Sequence, residues 1–136
     1  MISGIVSSVQ NKVKVNTVTE TVVIGDSAGT NLNSDDQHNI AIGTQALNST
    51  GTDADYNIAI GTNSLTALTE ADGVTAVGYN SGASITTGGA NTVYGAYAAD
   101  VLTTGLGNTA LGYATLSAAD GGEAYNTALG YHAMIA

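Results

Sequence analysis

A glycine returns along this chain every 17 or 18 residues. Aligned on it, the sequence reads "TVVIGDSAG", "NIAIGTQAL", "NIAIGTNSL", "VTAVGYNSG", "NTVYGAYAA", "NTALGYATL" and "NTALGYHAM". The anchors are Gly25, Gly43, Gly61, Gly78, Gly95, Gly112 and Gly130, separated by 18, 18, 17, 17, 17 and 18 residues. Self-similarity at a near-fixed period means that each copy is one structural unit stacked on the next, which removes most fold classes at once.

The columns of the repeat say what the unit is. Two residues before the glycine stand Val23, Ala41, Ala59, Ala76, Val93, Ala110 and Ala128, all small and apolar. One before it stand Ile24, Ile42, Ile60, Val77, Tyr94, Leu111 and Leu129, all large. Three after it the column is small again, from Ala28 to Ala133. Seven after it a second apolar column holds Leu32, Leu68, Ile85 and Leu102, interrupted by Thr50 and Ala119. Short apolar pieces rich in β-branched residues, bounded by Gly, Asn, Asp and Thr, read as strands. No stretch keeps a helical period long enough to be a helix.

The period is too short for a helix pair or a propeller blade. It suits one coil of an all-β solenoid, with two short strands and two turns per coil. Coils stack about 4.8 Å apart, so about seven of them predict a rod roughly 30 Å long. Residues of one column then lie one above another. Asn39, Asn57, Asn91, Asn108 and Asn126 share the column four before the glycine, and a ladder of side-chain amides bonding to one another is expected there. The glycine column marks a bend at positive φ or a close approach of another backbone.

Such a roll is thin. Its columns are mostly Ala, Val, Ile and Leu, and seven Tyr are the only aromatic residues. Burial contributes only about 25 cal/mol per Å² of apolar surface, against roughly 1–2 kcal/mol for ordering each residue. The alternation of large and small columns offers two apolar faces, one for the inside of the roll and one for a partner outside it. The simplest partner is another copy of the same chain.

The 136 residues make one solenoid domain over 21–136, preceded by a segment, 1–20, that stands outside the repeat. Without Cys, disulfides and thiolate metal sites are excluded. Neither a cleavable leader nor a membrane span is expected. Eleven acidic residues face two basic ones, a net charge of −9, and such a chain repels nucleic-acid phosphates. The acids gather between the strands, as Asp35 with Asp36, Asp53 with Asp55, Glu70 with Asp72, and Asp120 with Glu123. Both lysines, Lys12 and Lys14, lie in the first segment, where "VKVNTVT" alternates like a half-buried strand. Two readings of that segment stand side by side: a cap over the first coil's open edge, and an arm that attaches the protein to a larger particle through Lys12 and Lys14.

Candidate chemistry is sparse. His38 and His132 are the only histidines; a metal held by His132 and its symmetry mates is the sharp reading, a packed or solvated side chain the plain one. The acidic turns "NSDDQHN" and "TDADYN" offer oxygen ligands of the kind Ca²⁺ takes, without the spacing of an EF-hand loop or a Ca²⁺-binding nonapeptide. The preferred reading is solvated turns and no cofactor. "TTGGANT" and "TTGLGNT" lack the lysine of a phosphate loop and read as turns. Tyr79, Tyr113 and Tyr131 share the column after the glycine, a stripe able to contact sugar rings, with packing at a subunit interface the preferred reading. Ser and Thr are plentiful, but no base stands near them in pattern, so no enzyme is expected. An ice-binding array would need T-x-T, whereas the pairs here, Thr86 with Thr87 and Thr103 with Thr104, are adjacent.

At this point "NIAIGTQAL" and "NTALGYATL" resemble the N-x-A-[IVL]-G-x-x-A repeat of trimeric autotransporter adhesin heads, a pattern similar to that of phage tail and collar fibres. The resemblance spans about residues 21–136. It implies a left-handed parallel β-roll assembled as a homotrimer around a threefold axis. The adhesin repeat is shorter, and a whole adhesin would carry a stalk and a membrane anchor that this sequence does not show. The expectation is therefore a structural protein of a phage particle, a fibre, spike or capsid decoration at the virion surface. It would touch other virion proteins through 1–20 and a host-surface glycan or protein through the repeats. The alternative is a fragment of a bacterial adhesin head.

Overall fold

A computed structural model gives the fold and describes residues 13–16, 19–48, 51, 53–117 and 121–135. Eight short strands follow in order: β1 (Val13–Asn16), β2 (Thr21–Ile24), β3 (Ile40–Ile42), β4 (Ile58–Ile60), β5 (Thr75–Val77), β6 (Thr92–Tyr94), β7 (Thr109–Leu111) and β8 (Thr127–Leu129). They form one sheet in sequence order. β2 to β8 pair in parallel, residue for residue, so that Ala41, Ala59 and Ala76 sit side by side. The chain is thus an all-β parallel solenoid of about six turns, with no helix among the described residues. Seven parallel strands bound six complete coils, one fewer than the seven expected from the anchors.

β2 to β8 are three or four residues long because the glycine stops each of them. From Gly25 to Gly130 the anchors have φ between 119° and 140°, a region that strands of L-residues do not enter. The two reasons for a glycine coincide at one residue. A β-carbon built on Gly25 would lie 2.6 Å from the Gly43 carbonyl oxygen, and one on Gly43 2.6 Å from the Gly61 carbonyl carbon. From Gly25 to Gly112 each anchor is packed against the backbone of the anchor on the next coil, whereas Gly130 has nothing within 4 Å of an added β-carbon.

The second strand expected in each coil is replaced by a run of turns. Two and four residues after the glycine the backbone is again at positive φ, as at Gln45 (57°) and Leu47 (48°), Asn63 (58°) and Leu65 (51°), and His132 (52°) and Met134 (53°). Alternating handedness keeps the segment extended enough to bond to its neighbours without β geometry. Gln45 N–H donates to the Asp26 carbonyl of the preceding coil, and Leu47 N–H to the Ser64 carbonyl of the following one, both at 2.9 Å. The backbone groups of this wall are therefore paired coil to coil as those of the strands are.

This conformation decides what fills the core. In a strand, neighbouring side chains point to opposite sides. Here the third and fourth residues after the glycine both point inward: Ala46 with Leu47, Ser64 with Leu65, Ala98 with Ala99, and Thr115 with Leu116 are all buried. On most coils the fourth column complements the residue two before the glycine: Ala41, Ala59 and Ala110 go with Leu47, Leu65 and Leu116, and Val23 and Val93 with Gly29 and Ala99; Ala76 goes with Gly82, where Ile85 and Leu65 come close instead. The pairing is direct at Gly29, where an added β-carbon would meet a methyl of Val23 at 2.9 Å. Leu68, Ile85 and Leu102 of the seventh column complete the core. Buried hydroxyls do not go unpaired: Ser64 Oγ donates to the Ala76 carbonyl at 3.0 Å and Thr115 Oγ1 to the Gly112 carbonyl at 3.1 Å.

At the N-terminal end the stack closes differently. β1 lies antiparallel to β2, with Val15 opposite Val22, and covers the edge of the first coil. Lys14 stands on β1 opposite Val23; Lys12 lies outside the described residues.

Candidate functional site

Three ladders run the length of the roll, and each places a different chemistry. The first is structural. Asn39, Asn57, Asn91 and Asn108 are buried, and Asn126 on the last coil is partly so. Each carboxamide works mainly on backbone rather than on the next amide. Asn39 Oδ1 accepts the Asn57 N–H at 2.8 Å, while Asn57 Nδ2 donates to the Ala71 carbonyl at 2.8 Å and Asn57 Oδ1 accepts the Val74 N–H at 2.9 Å. Bonds between two side-chain amides occur at Asn108 to Asn91, 3.0 Å, and Asn126 to Asn108, 3.3 Å. The physical reason is the corner geometry. The turn brings a carbonyl and an N–H of the adjoining coil within reach, and both ends of a carboxamide are then satisfied. In the first coil Thr21 takes the place of Asn, its Oγ1 accepting the Asn39 N–H at 3.3 Å.

Several acidic turn residues do the same. Asp36, itself buried, accepts the Ala54 N–H at 2.9 Å and the Asn33 N–H at 2.8 Å. Asp55 accepts the Gln37 N–H at 2.6 Å, and Asp72 the Asp55 N–H at 2.8 Å. These carboxylates cap backbone groups of neighbouring coils. Among the described residues no cluster of three or more His, Asp or Glu side chains is placed to hold a metal ion. Asp120 lies outside the described residues. His38 stacks on Tyr56, centroids 4.7 Å apart, and meets Glu20 at 3.1 Å.

The second ladder is the outer face of the sheet. While Ala41, Ala59 and Ala76 face inward, the large residues beside the glycines face outward on every strand. Ile24, Ile42, Ile60 and Val77 are half-buried, whereas Tyr94, Leu111 and Leu129 are 57%, 44% and 70% exposed. The column beside them runs from Val22, Ile40 and Ile58 into Thr75, Thr92, Thr109 and Thr127. This threonine column escapes a reading that looks only at adjacent Thr pairs. Of those pairs, Thr86 and Thr103 bond along the stack through Oγ1, and Thr87 and Thr104 are exposed.

The third ladder is aromatic. Tyr79, Tyr113 and Tyr131 stand in the column after the glycine, and Tyr97, one position later on its coil, fills the gap between them. Ring centroids are 5.2 Å apart from Tyr79 to Tyr97, 5.8 Å from Tyr97 to Tyr113 and 5.3 Å from Tyr113 to Tyr131. His132 packs against Tyr131 at 4.3 Å. Desolvation raises the Tyr97 phenol above its ordinary value, helped by the charge and hydrogen bond of Tyr79 and by the charges of Tyr113 and Asp100. Tyr97 stands two after its glycine, outside the column that Tyr79, Tyr113 and Tyr131 share, so a reading by columns does not group it with them.

The fold and these ladders define a single-sheet parallel β-solenoid with an apolar outer face and an aromatic flank. No protein-family model matches the chain, and no curated protein or solved structure matches it significantly.

Proposed function

We propose that this chain is a structural protein of a phage particle, working as a homotrimer of left-handed rolls that projects from the virion as a fibre, spike or capsid decoration and aids adhesion to the host surface. The observation that supports the assembly is the outward column of large apolar side chains. Its C-terminal half, Tyr94, Leu111 and Leu129, is exposed on a single chain although the core beneath it is closed. A contiguous apolar strip on a soluble chain marks an interface, and a strip repeated at every coil fits a copy of itself in the same register. The repeat's resemblance to adhesin heads and phage fibres supports three copies and the virion setting. No catalytic group and no cofactor enter this reading, and the partners are further copies, other virion proteins and a host-surface glycan or protein.

Residues 1–20 are the attachment segment in this proposal. The repeats hold no lysine or arginine, so the two lysines of the first segment are the only positive charge that can meet an acidic partner. Phage particles purified from cells that carry the gene should contain the chain, detected by peptide mass analysis. Chain 21–136 added to particles lacking the protein should fail to bind where the full chain binds. Equal binding by both would place attachment in the repeats, and absence from the virion would favour the second reading, a fragment of a bacterial adhesin head.

A further inference from the structure

The aromatic flank has a composition unlike the rest of the surface. From Thr44 to His132 the first and second positions after each glycine carry no Asp, Glu, Lys or Arg, in a chain with eleven acids. They hold Thr and Gln on the early coils, Asn63, Tyr79 and Asn80 in the middle, and tyrosines beyond. Tyr79, Tyr113 and Tyr131 are 46%, 43% and 76% exposed, so the rings are open to a ligand and not folded into the core. Asn63 Nδ2 donates to Asn80 Oδ1 at 3.0 Å and continues the strip toward the N-terminal coils.

We infer that the strip from Asn63 to Tyr131 is a binding site for a linear, uncharged polysaccharide lying along the roll axis. Aromatic faces carry partial negative charge and attract the C–H faces of pyranose rings. Side-chain amides such as those of Asn63 and Asn80, and the phenols of the exposed tyrosines, exchange hydrogen bonds with hydroxyls. From Tyr79 to Tyr131 each coil supplies one tyrosine to the strip, with centroids 5.2 to 5.8 Å apart and planes that cross at 76° and 69° before the stacked pair of Tyr113 and Tyr131, a spacing that suits a polymer whose repeating unit is about as long as a coil is deep. Charge selects among polymers: an anionic chain is repelled by a molecule of net charge −9, and a cationic one is drawn to the acidic turns instead of this strip. The site gives the adhesive half of the proposed function a ligand class. It rests on that reading only in requiring the strip to lie outside the interface between copies.

The test is affinity electrophoresis of the full chain through gels containing hydroxyethylcellulose, galactomannan or mannan, with alginate as the anionic control. Each protein sample is also sedimented. At least one neutral polymer should retard the protein and alginate should not. Tyr97→Ala with Tyr113→Ala should weaken retention about tenfold or more, with sedimentation unchanged. Tyr56→Ala with Tyr125→Ala, exposed rings off the strip, should leave retention intact, and Tyr97→Phe, which keeps the ring, should retain most of it. The site is refuted by no retardation in any neutral polymer, by equal retardation in alginate, or by equal loss in the off-strip control. It is refuted equally if the strip variant breaks the wild-type assembly, since the tyrosines are then its interface. A trimer that binds no polymer sinks this site alone; a monomer that binds one supports it and sinks the trimer.

Discussion

Gly61 and Gly73 are glycines for different reasons, and substituting each separates the costs. Gly73 has φ 66° with nothing within 4 Å of an added β-carbon, so Gly73→Ala meets only the left-handed penalty. That costs about 1 kcal/mol. Its column also holds Tyr56, Ala90 and Tyr125 at φ near 55–59°, so the backbone tolerates a side chain there. Gly61 has φ 128°, and a β-carbon on it would overlap the Gly78 carbonyl group on the next coil. Gly61→Ala must push adjacent coils away from each other in addition to adopting a conformation that alone costs about 1–3 kcal/mol. In chemical denaturation Gly73→Ala should shift the midpoint modestly and Gly61→Ala should abolish the cooperative transition. Similar small shifts for both would mean that the anchor column is a preference for small residues and not a steric requirement. The anchors themselves were legible from their spacing; that bend and close approach coincide on the same residues was not, because spacing carries no φ.

At the scale of one coil, the strand was legible and the wall opposite it was not. Ile58–Ile60 and its equivalents read correctly as strands with a small residue inward and large ones outward, since alternation is what a strand imposes. The segment after the glycine breaks alternation through its left-handed residues. Leu47, Leu65 and Leu116, among the largest buried side chains, therefore went unassigned, and Tyr97 was separated from the tyrosines it touches. The complementary filling of the roll makes a sharp prediction. Leu65→Ala alone should cost about 2–5 kcal/mol through the cavity it leaves, and Ala59→Val alone about 1–3 kcal/mol through overpacking. Together they recreate the Val93 and Ala99 combination found further along the stack. The double variant should be more stable than the sum of the singles by about 0.5–3 kcal/mol. Simple additivity in denaturant melts would show that the two columns do not share space.

The aromatic flank has a pH signature of its own. The Tyr97 proton is held more tightly in the fold than at the ordinary tyrosine value of 10.0. Above that pH the unfolded chain releases a proton that the folded chain keeps, so the stabilisation linked to Tyr97 is fully present below pH 10.0 and is lost as pH rises through the folded value. Phenolate absorbance in a spectrophotometric titration should show a late-titrating tyrosine, and Tyr97→Phe should remove that phase. A titration whose latest phase survives Tyr97→Phe would assign the shift elsewhere.

For the whole molecule, the same feature that makes the fold legible leaves an apolar outer face uncovered on a single copy. A coil of 17 or 18 residues closes around a core one or two side chains across, so the large residue of every strand is left on the outside. One strand can cover its first-coil edge, as β1 does, but nothing in the described chain covers the outer face of β6 to β8. In the proposed trimer this face is where three copies meet. Sedimentation equilibrium of the chain at micromolar concentration should give a single species at three times the 13.5 kDa chain mass, which Leu111→Lys converts to folded or unfolded monomer. A wild-type protein that sediments as a stable monomer, or a trimer indifferent to Leu111→Lys, would contradict that arrangement.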